Sequence, residues 1–228
     1  MAKPSFIIVI PLVDDASVVA DIHLRAMDQN LLTHAQFPNP KALEYFHSWI
    51  ARNTLQHISD SDKGVLIARH SHSEETVGFL KWSEYGPGGE LAAIADEWPE
   101  YCGRQILDEY STLAAEARKS ITEQHRNGYF PMNVTPGADV TFICTDPRWA
   151  GHGAASTLLT ELQDMAASAG KPIVLEAVMT AIPFYKKLGF EIRRQLQMML
   201  PPRGSSDRTQ IYLEECMVWT PPLVQATD

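Results

Sequence analysis

A glycine-rich junction between a strand-like run and a helix-like run constrains this chain more than any other feature. Residues 144–159 read CTDPRWAGHGAASTLL, between an apolar run at 140–144 and a helical pattern over 154–169. A tight turn needs one or two glycines, but Gly151 and Gly153 are followed by three more small residues. This excess predicts that a ligand approaches bare backbone at the start of the helix.

The same junction has the chemistry of an anion site. The first N–H groups of a helix have no partner within the helix, and the helix dipole adds partial positive charge there. Small residues let a phosphate reach those groups. The alternative is that Gly151 and Gly153 only shape a tight turn and that the alanines let the helix pack on a sheet.

Two common phosphate motifs fit this junction poorly. A Walker P-loop is excluded because no Lys follows either glycine. A dinucleotide fingerprint is approximated by Gly151-His-Gly153-Ala-Ala-Ser156, with Glu176 as a later acid. However, residues 146–150 separate the strand from the first glycine, Ser replaces the third glycine, and fewer than ninety residues follow Val140. An NAD(P)-binding oxidoreductase is therefore a remote alternative.

Strand-like and helical patterns alternate along the chain. Apolar runs predict strands at 6–10, 65–68, 77–82, 140–144, 172–178, 190–200 and 210–219. Apolar residues three and four positions apart predict helices within 16–30, 38–57, 154–169 and 183–188. The mixed order predicts an α/β or α+β fold with a partly parallel sheet, in a single domain spanning residues 1–228.

Residues 86–138 interrupt this rhythm. The sequence GPGG opens the stretch and NVTPGAD closes it. Between them Gly128 is a plausible helix end, and apolar residues recur at helical spacing: Ile106, Tyr110, Leu113, Ala117 and Ile121. A loop of this length without its own structure is uncommon, so we expect a helical insert.

Charge and cysteine content exclude several classes of protein. The net charge of −9 argues against nucleic acid or an anionic membrane as the main partner, and it is compatible with an amine substrate. Three scattered cysteines are too few for a disulfide framework or a zinc site. His70 and His72 lie in a predicted hairpin turn without a third ligand, so we expect no metal. The apolar run at 6–10 is too short for a membrane span, which favours a cytoplasmic protein.

Two motifs lie about thirty residues apart: AGHGAA at 150–155 and FYKKLGF at 184–190. With their flanks, over residues 140–192, they resemble the GNAT superfamily of acyl-CoA-dependent N-acetyltransferases, whose pyrophosphate loop reads Q/R-x-x-G-x-G/A. Ala150 departs from the usual Gln or Arg, although backbone N–H groups can still hold the pyrophosphate. The first 84 residues follow the family order of elements more weakly, and the insert matches nothing in the family.

The resemblance implies a fold, a cofactor and a reaction. The fold is a single mixed, mostly antiparallel sheet with a central, splayed parallel pair, flanked by helices. The reaction is direct transfer of an acetyl group from acetyl-CoA to a primary amine in a ternary complex, with strand backbone meeting the oxyanion. The implied cofactor-binding residues are Ile143, Cys144, Thr145, Ala150, Gly151, His152, Gly153, Ala154, Ala155 and Ser156.

The resemblance also suggests the catalytic groups. Tyr185 stands where many family members have the proton donor for the departing thiolate, although core packing with a satisfied hydroxyl is the alternative. Glu176 is the acid in an apolar run and is the first candidate base, unless it makes a structural hydrogen bond to the neighbouring strand. Asp139 is the second candidate, and His34 and His125 are weaker ones.

The acceptor is suggested by the charge of the insert. Residues 90–126 carry eight acidic and four basic side chains. An acidic helical lid over the acceptor entrance would attract a small cationic amine and obstruct a long peptide. The alternatives are an insert that covers a sheet edge or forms a dimer contact, in a monomer or a homodimer. A peptide or protein N-acetyltransferase and a non-catalytic acyl-CoA sensor also remain open.

Overall fold

A seven-stranded sheet organises the structure, a computed structural model that describes residues 5–84, 98–124 and 137–222. The strands are β1 (Phe6–Val9), β2 (Lys63–His70), β3 (Thr76–Glu84), β4 (Ala138–Thr145), β5 (Ile173–Val178), β6 (Glu191–Leu200) and β7 (Gln210–Trp219). Their order across the sheet is β1-β2-β3-β4-β5-β7-β6. Neighbours pair antiparallel except β4 and β5, which pair parallel. The predicted mixed, mostly antiparallel sheet is confirmed.

The parallel strands β4 and β5 separate after three residue pairs. The last pair joins Val140 to Leu175. Beyond it, β4 continues to Thr145 paired only with β3, and β5 continues to Val178 paired only with β7. A gap therefore opens toward the carboxyl ends of the two strands, and we call it the splay. The predicted splayed central pair is confirmed.

Six α-helices in the described part of the chain cover the sheet. They are α1 (Asp15–Ala26), α2 (Leu31–Gln36), α3 (Pro40–Ser59), α4 (Arg104–Gln124), α5 (Ala154–Ser168) and α6 (Ile182–Lys187). Helices α5 and α6 pack on one side of the sheet, the first face. Helices α1 to α4 pack on the opposite side, the second face. None of the helices described is long and apolar enough to cross a membrane.

The bulge in β4 lies directly beyond its last pair with β5. Val140 and Phe142 lie opposite successive residues of β3, so Thr141 between them is an extra residue. An extra residue shifts the alternation of side chains between the two faces. As a result Cys144 and Asp139 both project to the second face, where Cys144 meets the core under α1 and α3. The bulge therefore sets which side chains surround the splay.

The helix predicted within the insert is present as α4. Its apolar stripe packs on β5, β7 and β6, where Ala114 and Ala117 are almost fully buried and allow close approach to the sheet. Ile106 and Ile121 are buried near its two ends. The predicted helix end at Gly128 lies outside the described residues. The described part of the insert is thus a wall against the second face.

The helix predicted within residues 16–30 is present as α1, but the separate helix that follows it was not predicted. Helix α1 ends at Ala26, and a separate helix, α2, begins at Leu31. Asn30 has an extended backbone, and its Oδ1 accepts a hydrogen bond from the Thr33 N–H at 2.9 Å. Such a cap starts a new helix because it satisfies an N–H group without an intrahelical partner.

A buried lysine ties α3 to the sheet. Lys81 on β3 is fully buried, and its Nζ donates to Asn53 Oδ1 on α3 at 2.6 Å. The ring of Phe142 lies 5.1 Å from the same nitrogen. Burial lowers the pKa of Lys81 to about 7, because desolvation disfavours the charged ammonium. The hydrogen bond from Lys81 to Asn53 holds α3 against the second face of the sheet, next to β4.

Candidate active site

Both glycines of the junction have backbone conformations that require glycine. After β4 the chain makes a short 3-10 turn at Pro147–Trp149 and then reaches Gly151, with φ of 76°, and Gly153, with φ of 101°. Residues with a side chain rarely adopt such positive φ values. A side chain at Gly151 would project into open space, because no heavy atom lies within 4 Å of a Cβ built there.

The amino terminus of α5 has no side-chain cap. Gly153 is its N-cap residue, and the first N–H to bond back within the helix is that of Thr157, which donates to the Gly153 carbonyl at 3.0 Å. The N–H groups of Ala154, Ala155 and Ser156 accordingly have no helical acceptor. In the described part of the chain no side chain caps them. The junction therefore presents three N–H donors beside a bare glycine.

Asp146 holds the junction to the end of β4. Its carboxylate is fully buried and accepts hydrogen bonds from the Arg148 N–H at 3.0 Å, from Arg148 Nη2 at 2.9 Å and from Arg25 Nε at 3.0 Å. The hydrogen bonds from Arg148 are the largest cause that lowers the pKa of Asp146, to about 2. The Asp146 N–H also donates to the Val77 carbonyl on β3 at 2.8 Å.

Asp146→Asn should lower the free energy of unfolding at pH 7 by about 1–2 kcal/mol, since the two partner arginines are partly exposed and screened. The folded-state pKa is depressed, so this stability is present above the unfolded pKa and is lost as the pH falls from about 4 to about 2. Urea unfolding at pH 7 and pH 3 measures the difference. Asp164→Asn, on the exposed side of α5, is the control; equal effects of the two variants would contradict the assignment.

The predicted oxyanion residues line the splay. Ile143, Cys144 and Thr145 lie on the part of β4 that has β3 on one side and no strand on the side of β5. The Thr145 hydroxyl is buried and has no hydrogen-bond partner among the described residues. Polar backbone and hydroxyl groups without partners at a buried strand end suit a polar ligand that enters the splay.

Tyr185 reaches the splay from α6. It is 6% exposed, and its hydroxyl has no hydrogen-bond partner in the described part of the chain. Burial raises its pKa well above the usual 10, and negative charge on Cys144 or Glu214 raises it further. The phenol is therefore protonated at neutral pH and lies within electrostatic reach of both β4 and β7. The alternative of a satisfied core hydroxyl finds no partner among these residues.

One arginine bridges two carboxylates at the closed end of the splay. Arg118 lies on α4, and its Nη2 donates to Glu176 Oε2 at 3.0 Å, while its Nε lies 3.2 Å from Asp139 Oδ1. Asp139 is fully buried, and neither of its oxygens accepts a well-aligned hydrogen bond from the described residues. Burial raises the pKa of Asp139 to about 7; the Arg118 charge opposes this rise and the Glu176 charge adds to it.

The structure thus brings the first and second candidate bases together. Glu176 is anchored by Arg118, and Asp139 has the buried environment and raised pKa of a proton acceptor. His34 lies on α2 in contact with Arg203, on the wall of an open cleft of about 1210 Å³ between α2, the start of α4 and the β6–β7 loop. His125 lies outside the described residues.

Sequence reasoning missed two charged groups at this site. Arg118 was one of several charges on a helical insert, and nothing local shows that it faces the sheet. Glu214 and Glu215 on β7 are 5% and 7% exposed, and two adjacent carboxylates within an apolar strand could have flagged them, because both faces of a strand inside the sheet are covered. His70, which was considered above as a metal ligand, packs against Trp149 with tilted rings and 4.7 Å between the ring centroids. No group of three metal-ligating side chains occurs in the described ranges.

The splayed parallel strands lie beside the uncapped amino terminus of α5, which is the arrangement that the resemblance to acyl-CoA-dependent acetyltransferases implies. Residues 95–197 match the family model described as an acetyltransferase (GNAT) domain. The match includes both motifs, and their resemblance to that family is confirmed. No curated protein sequence matches the chain.

Solved structures of similar fold agree with this assignment. A mosquito arylalkylamine N-acetyltransferase like 5b matches with a TM-score of 0.62 and 16% identity, over 95% of this chain and 100% of that one. A histone acetyltransferase HPA2 and related acetyltransferase from Corynebacterium glutamicum matches with 0.55 and 19%, over 99% and 100%. Arabidopsis thaliana NAA60 in complex with acetyl-CoA matches with 0.54 and 14%, over 95% and 98%. At such identities the likeness shows the fold.

Proposed function

We propose that the protein transfers an acetyl group from acetyl-CoA to the primary amine of a small molecule, by direct transfer in a ternary complex. The observation that carries this proposal is the splay, which opens beside the uncapped N–H groups of α5. Acetyl-CoA needs both features, since its pyrophosphate binds to N–H donors and its thioester needs a gap between strands.

The residues present fit acetyl-CoA. Ala154, Ala155 and Ser156 offer N–H groups to the pyrophosphate, Gly153 adds no side chain at the start of the helix, and the space around Gly151 is open. Two similar structures contain this ligand class: NAA60 in complex with acetyl-CoA, and PaiA N-acetyltransferase from Thermoplasma acidophilum in complex with coenzyme A, with a TM-score of 0.51. We assign the backbone around Ile143, Cys144 and Thr145 to the thioester carbonyl.

The chain supplies the two proton transfers that the reaction needs. The amine attacks as the neutral NH2 form, so an acceptor that binds as an ammonium first releases one proton to water. As the nitrogen attacks the acetyl carbon and the carbon–sulfur bond breaks, the nitrogen loses a second proton and the departing sulfur gains one. Tyr185 is protonated, buried and within reach of the splay, so it gives its proton to the sulfur. Asp139 or Glu176 takes the proton from the nitrogen, directly or through water. Asp139 is the better acceptor, because burial raises its pKa and neither of its oxygens accepts a well-aligned hydrogen bond from the described residues, whereas Glu176 Oε2 accepts one from Arg118.

A small acceptor is favoured by the wall that α4 builds. The helix crosses the second face over β5, β7 and β6, and Arg118 reaches past the edge of β5 to Asp139 on β4. We expect this wall to narrow the route by which a long peptide would reach the splay. The similar structures include proteins described as acting on arylalkylamines and on histones, so their names leave both acceptor classes for experiment.

A side-by-side acetyl-transfer screen tests the acceptor class. Polyamines, amino sugars, arylalkylamines, amino acids and histone-like peptides are each incubated with the protein and acetyl-CoA, and free thiol is measured. We expect the highest kcat/KM with a small amine. Preference for the peptides would overturn the small-molecule assignment. Binding of acetyl-CoA without turnover across the panel would indicate an acyl-CoA sensor instead.

A further inference from the structure

Glu214 is a buried carboxylate held by two tyrosines. It lies on β7 and is 5% exposed. The Tyr110 hydroxyl on α4 donates to its Oε2 at 2.8 Å, and the Tyr212 hydroxyl donates to its Oε1 at 2.6 Å. Asn30, in the α1–α2 connection, donates to the Tyr212 hydroxyl at 3.4 Å. Three separate elements thus fix the orientation of one carboxylate.

The place of Glu214 in the sheet is at the open end of the splay. It lies opposite Val178, the last residue of β5. Val178 is three residues beyond Leu175, where the pairing with β4 ends; because Thr141 is an extra residue, Cys144 is the β4 residue that lies three ladder positions beyond Val140. The carboxylate therefore lies close to the level of the β4 residues assigned to the thioester, on the face covered by α4.

The charge of Glu214 has no ion-pair partner among the described residues. Burial raises the pKa of Glu214, and the hydrogen bonds from Tyr212 and Tyr110 and the charge of Arg118 oppose this rise. Arg118 itself is paired with Glu176 and Asp139. Burying an unpaired carboxylate is costly unless a cation compensates it. A carboxylate has about four acceptor positions, and the two phenols use two of them. Two acceptor positions of the Glu214 carboxylate therefore have no donor among the described contacts.

A second group aimed into the same place points to a ligand. The Tyr185 side chain is 6% exposed, its hydroxyl makes no hydrogen bond with the described residues, and the charge of Glu214 contributes to raising its pKa. The splay is the gap between the two side chains. An unpartnered phenol and an unpaired carboxylate on opposite sides of a gap are the arrangement expected when a polar molecule fills it.

We propose that Glu214 is the binding residue for the ammonium group of the acceptor, and that Tyr110 and Tyr212 fix the position of its carboxylate. The proposal rests on the acetyl transfer proposed above and names its substrate class, a primary ammonium on an apolar body. A primary ammonium has three N–H donors for the two free acceptor positions. Leu196 and Met198 on β6 lie in the same apolar clusters as the two tyrosines, so the surroundings of the carboxylate are apolar.

Equilibrium binding tests the proposal without any turnover. Calorimetric titration of phenethylamine into the CoA-saturated protein gives the Kd, and phenethyl alcohol is the uncharged ligand of the same shape. We expect the alcohol to bind at least about 10-fold more weakly, and Glu214→Gln to weaken phenethylamine by about 10- to 100-fold. Equal affinity of Glu214→Gln and the wild type, or no binding of phenethylamine by the wild type, would overturn the proposal.

Two further variants separate binding from a general loss of structure. Glu215→Gln is the matched control, because Glu215 is the next residue of β7 and accepts from Gln195 at 2.9 Å. It should leave the phenethylamine Kd unchanged. Tyr212→Phe keeps the carboxylate and removes one of its two hydroxyl donors, so we expect a several-fold weaker Kd. An equal loss of affinity in Glu215→Gln and Glu214→Gln would contradict a specific site.

Kinetics distinguish this inference from the proposed function. With Glu214→Gln the KM for the amine should rise by about 10- to 100-fold while the KM for acetyl-CoA stays unchanged. A wild type that binds phenethylamine through Glu214 but releases no thiol would support the ammonium site and overturn the acetyl transfer. A wild type that acetylates phenethylamine with no effect of Glu214→Gln would support the transfer and overturn the ammonium site.

Discussion

Gly153→Val should abolish the rise in melting temperature that saturating acetyl-CoA gives to the wild type. Two physical effects act together. The valine side chain occupies the approach of the pyrophosphate to the N–H groups of α5, and a β-branched residue strongly disfavours the φ of 101° found there. We expect the Kd for acetyl-CoA to rise by at least about 100-fold, equivalent to about 2.7 kcal/mol. Thermal shift and calorimetric titration measure the two quantities.

Gly170→Val is the matched control for backbone strain. Gly170 also has a positive φ, of 65°, and follows the opposite end of α5 with open space around a Cβ built there. It should lower the melting temperature of the free protein by a similar amount, because the strain is of the same kind. It should leave the response to acetyl-CoA intact. If both variants kept the full response, the glycine junction would not be the pyrophosphate site.

Tyr185→Phe should lower kcat by about 100- to 1000-fold and leave the Kd for acetyl-CoA nearly unchanged. The substitution removes one hydroxyl that has no hydrogen-bond partner among the described residues, so the fold loses little. It also removes the group assigned to protonate the departing thiolate. Steady-state kinetics with the best amine of the screen, together with equilibrium binding of acetyl-CoA, separates the two effects.

Tyr45→Phe is the control for loss of a phenol hydroxyl elsewhere. Tyr45 lies on α3 in the core of the second face, where its ring packs near Trp98 and Tyr101. We expect no change in kcat from this variant. Unaltered turnover in Tyr185→Phe would remove Tyr185 from the mechanism. An equal fall in both variants would mean that the loss reflects general destabilisation.

The parts of the fold that follow local patterns could be predicted from the sequence. The strand at 140–144, the glycine junction and the helix from Ala154 are contiguous, and each is determined by spacing and residue size over a few positions. The splayed pair came from the resemblance to a family, because no local signal in β4 or β5 tells where two strands separate. Helix α4 was visible as a stripe at helical spacing.

The electrostatic contacts of the site could not be predicted in this way. Arg118 meets Asp139 and Glu176 only after α4 docks on the second face, across a sequence separation of up to 58 residues. The role of Asp139 depends on the bulge at Thr141, which sets its face and left no clear sign in the sequence. Glu214 and Tyr110 are 104 residues apart along the chain, and each alone reads as an ordinary polar residue.

The fate of an isotopic label in the acetyl group tests whether the protein transfers acetyl directly from acetyl-CoA to a small amine. Acetyl-CoA labelled at its acetyl carbonyl is mixed with the wild-type protein and a panel of small primary amines, and the label is located by mass spectrometry. Direct transfer predicts that the label accumulates as an N-acetyl amide in step with free CoA, with none bound covalently to the protein. Label that remains on bound acetyl-CoA with every amine, or that is found on the protein, would contradict direct transfer to a small amine.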